Sequence, residues 1–195
     1  MKITTASAEA QNAYNRGLTL AYAFAHYAAE QEFRRALRAD PGCAMAWWGI
    51  ALVNGPHINY PLVTPERAAK AWEALGQAKA RAAATTPLEQ ALINALAERY
   101  ANPQPEDRRP LDEAYANAMR KVWEAYPTDA DVTALYAEAL MDLHPWDLWT
   151  TDGPQPWTPE ILATIERALE LNPRHPGANH FYIHAVKPHL IPKRA

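Results

Sequence analysis

The residues best suited to chemistry in this chain are its histidines and a few buried-looking acids. His180 and His184 stand four apart in a helical segment, so their imidazoles share a face, a spacing that can chelate a divalent ion. His175 lies just before them, and His26 falls near a turn on the same expected edge. Glu138 and Asp142 are also four apart, on a segment expected to look into a groove. Together His26, His175, His180 and His184, with Glu138, are the candidate set for zinc, copper or iron. No HExxH is present, so no general base of the zinc-protease kind accompanies them. Cys43 is the single cysteine; as a nucleophile it needs a histidine partner, and a buried, inert thiol is the competing expectation. No glycine-rich phosphate loop, nucleophile elbow or dinucleotide fingerprint occurs.

The aromatic residues suggest a second kind of site. Trp48 is expected to face a concave groove, with Tyr14, Leu18, Leu52, Glu138 and Asp142 around it. His57, Asn59, Trp146 and Trp149 lie in loops at its edge. A groove lined in this way binds a peptide or a small ligand. Most of the seven tryptophans are expected instead to lock long loops onto the helices.

These side chains must be positioned by helices. Gly17, Ala29, Phe33, Ala36, Pro41 and Trp47 follow the spacing of the tetratricopeptide repeat, a unit of about 34 residues built from two antiparallel helices. Small residues at 17 and 29 let the pair approach closely, and Pro41 ends the second helix. Eight helices in four hairpins are expected over roughly 8–24 and 27–39, 44–53 and 64–84, 86–100 and 111–126, and 130–143 and 158–172. A last helix covers about 176–186. Thr64-Pro65, Thr86-Pro87 and Thr158-Pro159 read as helix starts. The expected fold is an all-α right-handed solenoid forming a single domain over 1–195. Three long loops, 55–63, 101–110 and 144–157, fall between the first and second helices of their hairpins. In a solenoid such turns lie on one rim, where insertions often mark a binding face.

Composition narrows the partners. A net charge of −3 gives no basic excess for nucleic acid. Apolar residues make up 49%, too many for a disordered chain. No apolar run is long enough to span a bilayer, and the first residues lack a signal-peptide core. A cytoplasmic protein is expected.

Three segments carry a more specific likeness: CAMAWWGIAL with GPHINYPL, AEALMDLHPWDLWTTDGPQP, and NPRHPGANHFYIHAV. The chain resembles a bacterial tetratricopeptide-repeat family, mostly without assigned function, whose segments read CAMAYWGIAL, PWDLW and HPGANHYYIHAVEAS. The likeness covers about residues 13–186. Its matched polar positions are Cys43, Asn59, Asp142, Asp147, Asp152, His175, Asn179, His180 and His184. His57 and His144 stand where the family usually has Asn and Arg. The resemblance implies the helical-repeat fold and no particular reaction. It ends after Val186, where family members continue, so a frameshift truncation is expected, with a homodimer formed through the uncapped end of the last helix. The leading functional expectation is a scaffold that binds a peptide or small ligand. The alternative is a transition-metal protein, or a metal-dependent oxidoreductase or hydrolase, using the histidines of the last helix. A hydrolase using Cys43 is the third.

Overall fold

Alternating apolar faces and proline stops translate into helices packed on their chain neighbours. The computed structural model describes residues 1–186. Among these, α1 spans Ala8–Tyr22, α2 His26–Ala39, α3 Ala44–Val53, α4 Pro65–Arg81, α5 Pro87–Ala97, α6 Arg109–Ala125, α7 Ala130–Asp142, α8 Thr158–Leu171 and α9 Pro176–Val186. The chain is therefore mostly helical, as expected. The frameshift expectation falls on 187–195, outside the described residues.

Helix starts follow the capping signals in two of three cases. The Thr64 hydroxyl accepts from the Arg67 amide, with Pro65 following. Thr86 and Glu89 form a reciprocal capping box before α5. The third differs. Trp157 is the cap position of α8, and the Thr158 hydroxyl instead donates to the Leu148 carbonyl at 2.5 Å. That bond ties α8 to the preceding loop. A two-stranded hairpin within this loop, β1 Trp149–Thr150 and β2 Gly153–Pro154, has no counterpart among the expected elements.

Two helices form the centre. Every residue of α3 except Trp47 is buried, and so are Val132–Asp142 of α7. Neither helix keeps a solvent face over these residues, although α7 carries Thr133, Glu138 and Asp142 inward among its apolar side chains. Gly17 of α1 and Gly49 of α3 both give way to the Phe33 ring of α2. A Cβ at either position would meet Phe33 Cε1, at 2.7 Å from residue 17 and 2.6 Å from residue 49. Gly17 thus gives the close approach of α1 and α2 expected of a small residue there, and Gly49 is its unanticipated partner.

Helix α9 packs against α1 and α7 as well as α8. Gly177 makes the close approach possible, since a Cβ there would lie 2.7 Å from Tyr22 Cδ1. The amino-terminal segment also runs inward. The Met1 ammonium pairs with Asp131 at 2.8 Å, and the Thr4 amide and hydroxyl donate to Glu89.

Candidate functional site

Helix α1 stops at Tyr22, two residues earlier than its periodicity suggests, because Phe24 adopts φ +56°. The Ala25 amide then donates to the Leu20 carbonyl, and the Phe24 amide to Ala21. This is the helix ending usually built on glycine. A phenylalanine here costs about 1 kcal/mol of backbone strain, so its ring needs compensating contacts. They are imidazoles. The Phe24 ring stacks on His57 at 4.8 Å and on Phe181 at 5.7 Å, and meets His180 at 4.9 Å, His184 at 5.7 Å and His26 at 6.3 Å between centroids.

Four histidines from three parts of the chain therefore surround one strained phenylalanine, in two pairs. His26 and His57 lie 4.3 Å apart between ring centroids. Burial, together with each other and the nearby Arg67 and Arg99 charges, pushes His26 down to about 3; burial and the two arginines push His57 down to about 4. Both imidazoles are neutral near neutral pH, and the Nδ1 of each is buried without a hydrogen-bond partner. The second pair is on α9. His180 Nε2 lies 3.0 Å from His184 Nε2, and His180 Nδ1 donates to the Tyr22 carbonyl at 2.7 Å. Trp146, also at positive φ (+62°), sets its ring 5.4 Å from His184. A void of about 10 Å³ beside them is lined by His184, Met141, His144, Trp146, Trp149 and Ile58.

His175 does not join this group. It is 2% exposed, its Nδ1 accepts from the Ala178 amide, and its Nε2 donates to Asp131. It anchors the start of α9 to α7, leaving no nitrogen for a metal, and His57 takes the place expected for it. Burial would raise the Asp131 carboxyl. The His175 hydrogen bond and the Met1 ammonium outweigh burial and hold it well below the usual range. Among the described residues, no three His, Cys, Asp or Glu side chains converge to hold a metal ion.

The expected concave groove is closed. Tyr14 and Trp48 are fully buried, the Tyr14 hydroxyl pointing at Met1 Sδ and Trp48 Nε1 donating to the Leu92 carbonyl. They form core and offer no surface to a ligand; Leu18 and Leu52 are buried too. Glu138 and Asp142 belong to a buried charge network centred on Arg99, a residue with no signal in the sequence. Arg99 pairs with Asp142, donates to the Pro56 carbonyl at 3.1 Å, and lies 4.6 Å over the Tyr115 ring. Burial disfavours its charge, but Asp142 and Glu138 more than offset that and raise its pKa. Burial raises both carboxyls, Asp142 additionally through Glu138. Asp142 Oδ1 has no partner.

Asp142 also floors the cleft that the three long loops share. This cleft, of about 340 Å³, is lined by Pro61, Leu62 and Val63 from the first loop, Gln104, Glu106, Asp107, Arg108 and Arg109 from the second, Leu143 at the end of α7, and Pro145 from the third. Residues of all three loops thus meet at one cleft. Asn59 is exposed at the tip of the 57–60 turn, away from the cleft lining. Trp146 is 44% exposed, whereas Trp149 is half-buried with Nε1 donating to the Ala185 carbonyl at 2.6 Å, and Trp157 Nε1 donates to the Asp147 carbonyl at 2.7 Å. The last two fasten the loop to the helices, the role expected for most tryptophans. Cys43 is wholly buried at the start of α3, and burial raises its thiol to about 11, which keeps it protonated and removes it as a nucleophile.

No protein-family model, no curated protein and no solved structure matches this chain.

Proposed function

We propose that the protein is a tetratricopeptide-type helical-repeat scaffold, of the bacterial family its motifs resemble, that binds a peptide or small ligand in the cleft between its three long loops. The observation that carries this reading is the joint lining of one cleft by all three loops. Its volume falls in the range of ligand sites, about 300–1,000 Å³. Its walls divide the labour in the usual way. Leu62, Val63, Leu143 and Pro145 supply apolar area; Arg108, Asp112 and Asp142 supply polar groups that fix orientation. Leu62 is 70% exposed, an apolar side chain in search of cover.

The cytoplasm is the proposed location. A homodimer through α9 is compatible with the exposed Ile183 and Val186. The test is selection of a displayed peptide library on the immobilised chain, with counter-measurement on Leu62→Asp. Peptides that bind in the micromolar range and weaken at least ten-fold on Leu62→Asp support the cleft. Peptides indifferent to that change, or no selected sequence, overturn it.

A further inference from the structure

We infer that the pocket shared by α2, α3 and α4 binds an aromatic phosphomonoester, with Arg34, Arg38 and Arg81 on the phosphoryl group and Trp47, Leu37 and Pro41 around the ring. These six residues line a hollow of about 390 Å³, and none of them is acidic. Arg34 and Arg38 stand one turn apart on one face of α2, a spacing at which like charges repel. Arg81 arrives from the last turn of α4. Its Nη1 donates to the Gln77 carbonyl at 2.9 Å and to Gln77 Oε1 at 2.7 Å, and its guanidinium carbon lies 5.8 Å from the centroid of the Trp47 ring. That leaves Nε and Nη2 without a hydrogen bond among the described residues. This is an edge of the fork that engages an oxyanion through two parallel bonds.

The charge balance selects the ligand. Glu30 pairs with Arg34 at 2.6 Å. Arg38 and Arg81 make no ion pair among the described residues. Asp40, two residues after Arg38, is turned instead to the Thr5 hydroxyl and the Gly42 amide. Last-turn positions suit Arg38 and Arg81 singly, because cations complement the carbonyl end of a helix, but that effect does not gather both onto one pocket with Arg34. Three guanidiniums against one carboxylate leave two positive charges unmatched. A phosphomonoester brings about −1.5 to −2 near neutral pH, with three acceptor oxygens that suit guanidinium forks. The remaining wall is apolar, and the half-buried Trp47 offers its indole to an aromatic ring beside Leu37 and Pro41. The volume lies within the range of small-molecule sites.

This pocket shares no lining residue with the cleft between the loops, and the inference does not rest on that cleft. Its test is isothermal titration calorimetry of the full chain with phenyl phosphate at low salt, with far-UV circular dichroism as the folding control. One equivalent per chain at sub-millimolar affinity is expected. Phenyl sulfate, which keeps the ring but carries a single charge, and inorganic phosphate, which lacks the ring, each bind at least ten-fold more weakly. Arg38→Gln and Arg81→Gln each weaken phenyl phosphate at least ten-fold. Arg35→Gln, on the same helix but paired with Glu9 outside the pocket, leaves binding unchanged. Folded Arg38→Gln protein that binds phenyl phosphate as tightly as wild type overturns the proposal. So does equal binding of phenyl sulfate or inorganic phosphate, loss of binding in Arg35→Gln, or no binding to wild type below millimolar ligand.

Discussion

Phe24 and Trp146 are the two non-glycine residues at positive φ among the described residues, and both set their rings against His184, at 5.7 and 5.4 Å. Strain at two turns far apart in sequence thus converges on one imidazole. Such strain persists only where surrounding contacts over-determine it.

The balance at Phe24 is measurable. Truncating it to Ala keeps the αL strain and loses the ring contacts with His57, His180 and Phe181. Truncating it to Gly loses the same contacts but relieves the strain. Phe24→Gly is therefore expected to be more stable than Phe24→Ala by about 1 kcal/mol, with both below wild type. Urea denaturation of the three proteins checks the order; equal midpoints for the two variants would remove the strain argument.

Gly49 offers a packing test. Its missing Cβ is filled by the Phe33 ring, which is itself wholly buried. Gly49→Ala is expected to cost about 1–3 kcal/mol through overpacking. Adding Phe33→Leu should recover part of that loss, because the two substitutions share one contact and couple. Strict additivity in thermal or urea unfolding would show that the alanine is accommodated elsewhere.

Much of the scaffold was legible in the sequence, and the reasons are local. Threonine–proline pairs at 64–65 and 86–87 cap their helices by bonds within four residues. Pro41 and the long loops stop helices wherever they occur. The site was less legible because it depends on long-range placement. Periodicity put Tyr14 and Trp48 on an inward face, but it could not tell a groove from a core; the inward-running amino-terminus and the approach of α9 decided that. His180 and His184 were readable from their spacing alone. His175 has the same composition signal, but Asp131 and the Ala178 amide claim it. Phe24 gave no sign, since the turn after Tyr22 lacks the glycine that normally marks such an ending. Arg99 gave no sign either.

Arg99 supports a prediction about buried charge. It is fully buried with Asp142 and Glu138, and its Nε and Nη1 find no hydrogen-bond partner. Arg99→Met leaves two carboxyls buried without their cation and is expected to cost about 3–5 kcal/mol. In the Arg99→Met/Asp142→Leu double variant much of that loss should return, since no unpaired ion remains beyond Glu138. Chemical denaturation of both variants decides it. If the double variant is as unstable as the single, the network contributes packing rather than charge pairing.

The paired imidazoles His26 and His57 predict a particular acid sensitivity. Burial, with the help of Arg67 and Arg99, lowers His26 to about 3 and His57 to about 4, against the ordinary value of 6.5. A basic group whose folded pKa is depressed stays neutral in the folded chain while the unfolded chain takes up a proton. Its contribution is therefore fully present above pH 6.5 and is lost as pH falls from there towards 4 and 3. Asp131, held below the usual carboxylate range, loses its contribution only below about pH 3.8. Glu138 and Asp142, both raised, act in the opposite sense, gaining as pH falls. The histidine effect is thus isolated by difference. Stability of wild type minus that of His57→Gln, measured by urea unfolding at steps from pH 7.5 to 4.5, should decline steadily below pH 6.5, because the variant lacks one of the two reluctant protonation sites. A flat difference across that window would mean that His57 is protonated as readily in the folded chain as in the unfolded one, and that the Phe24 cluster does not exclude charge.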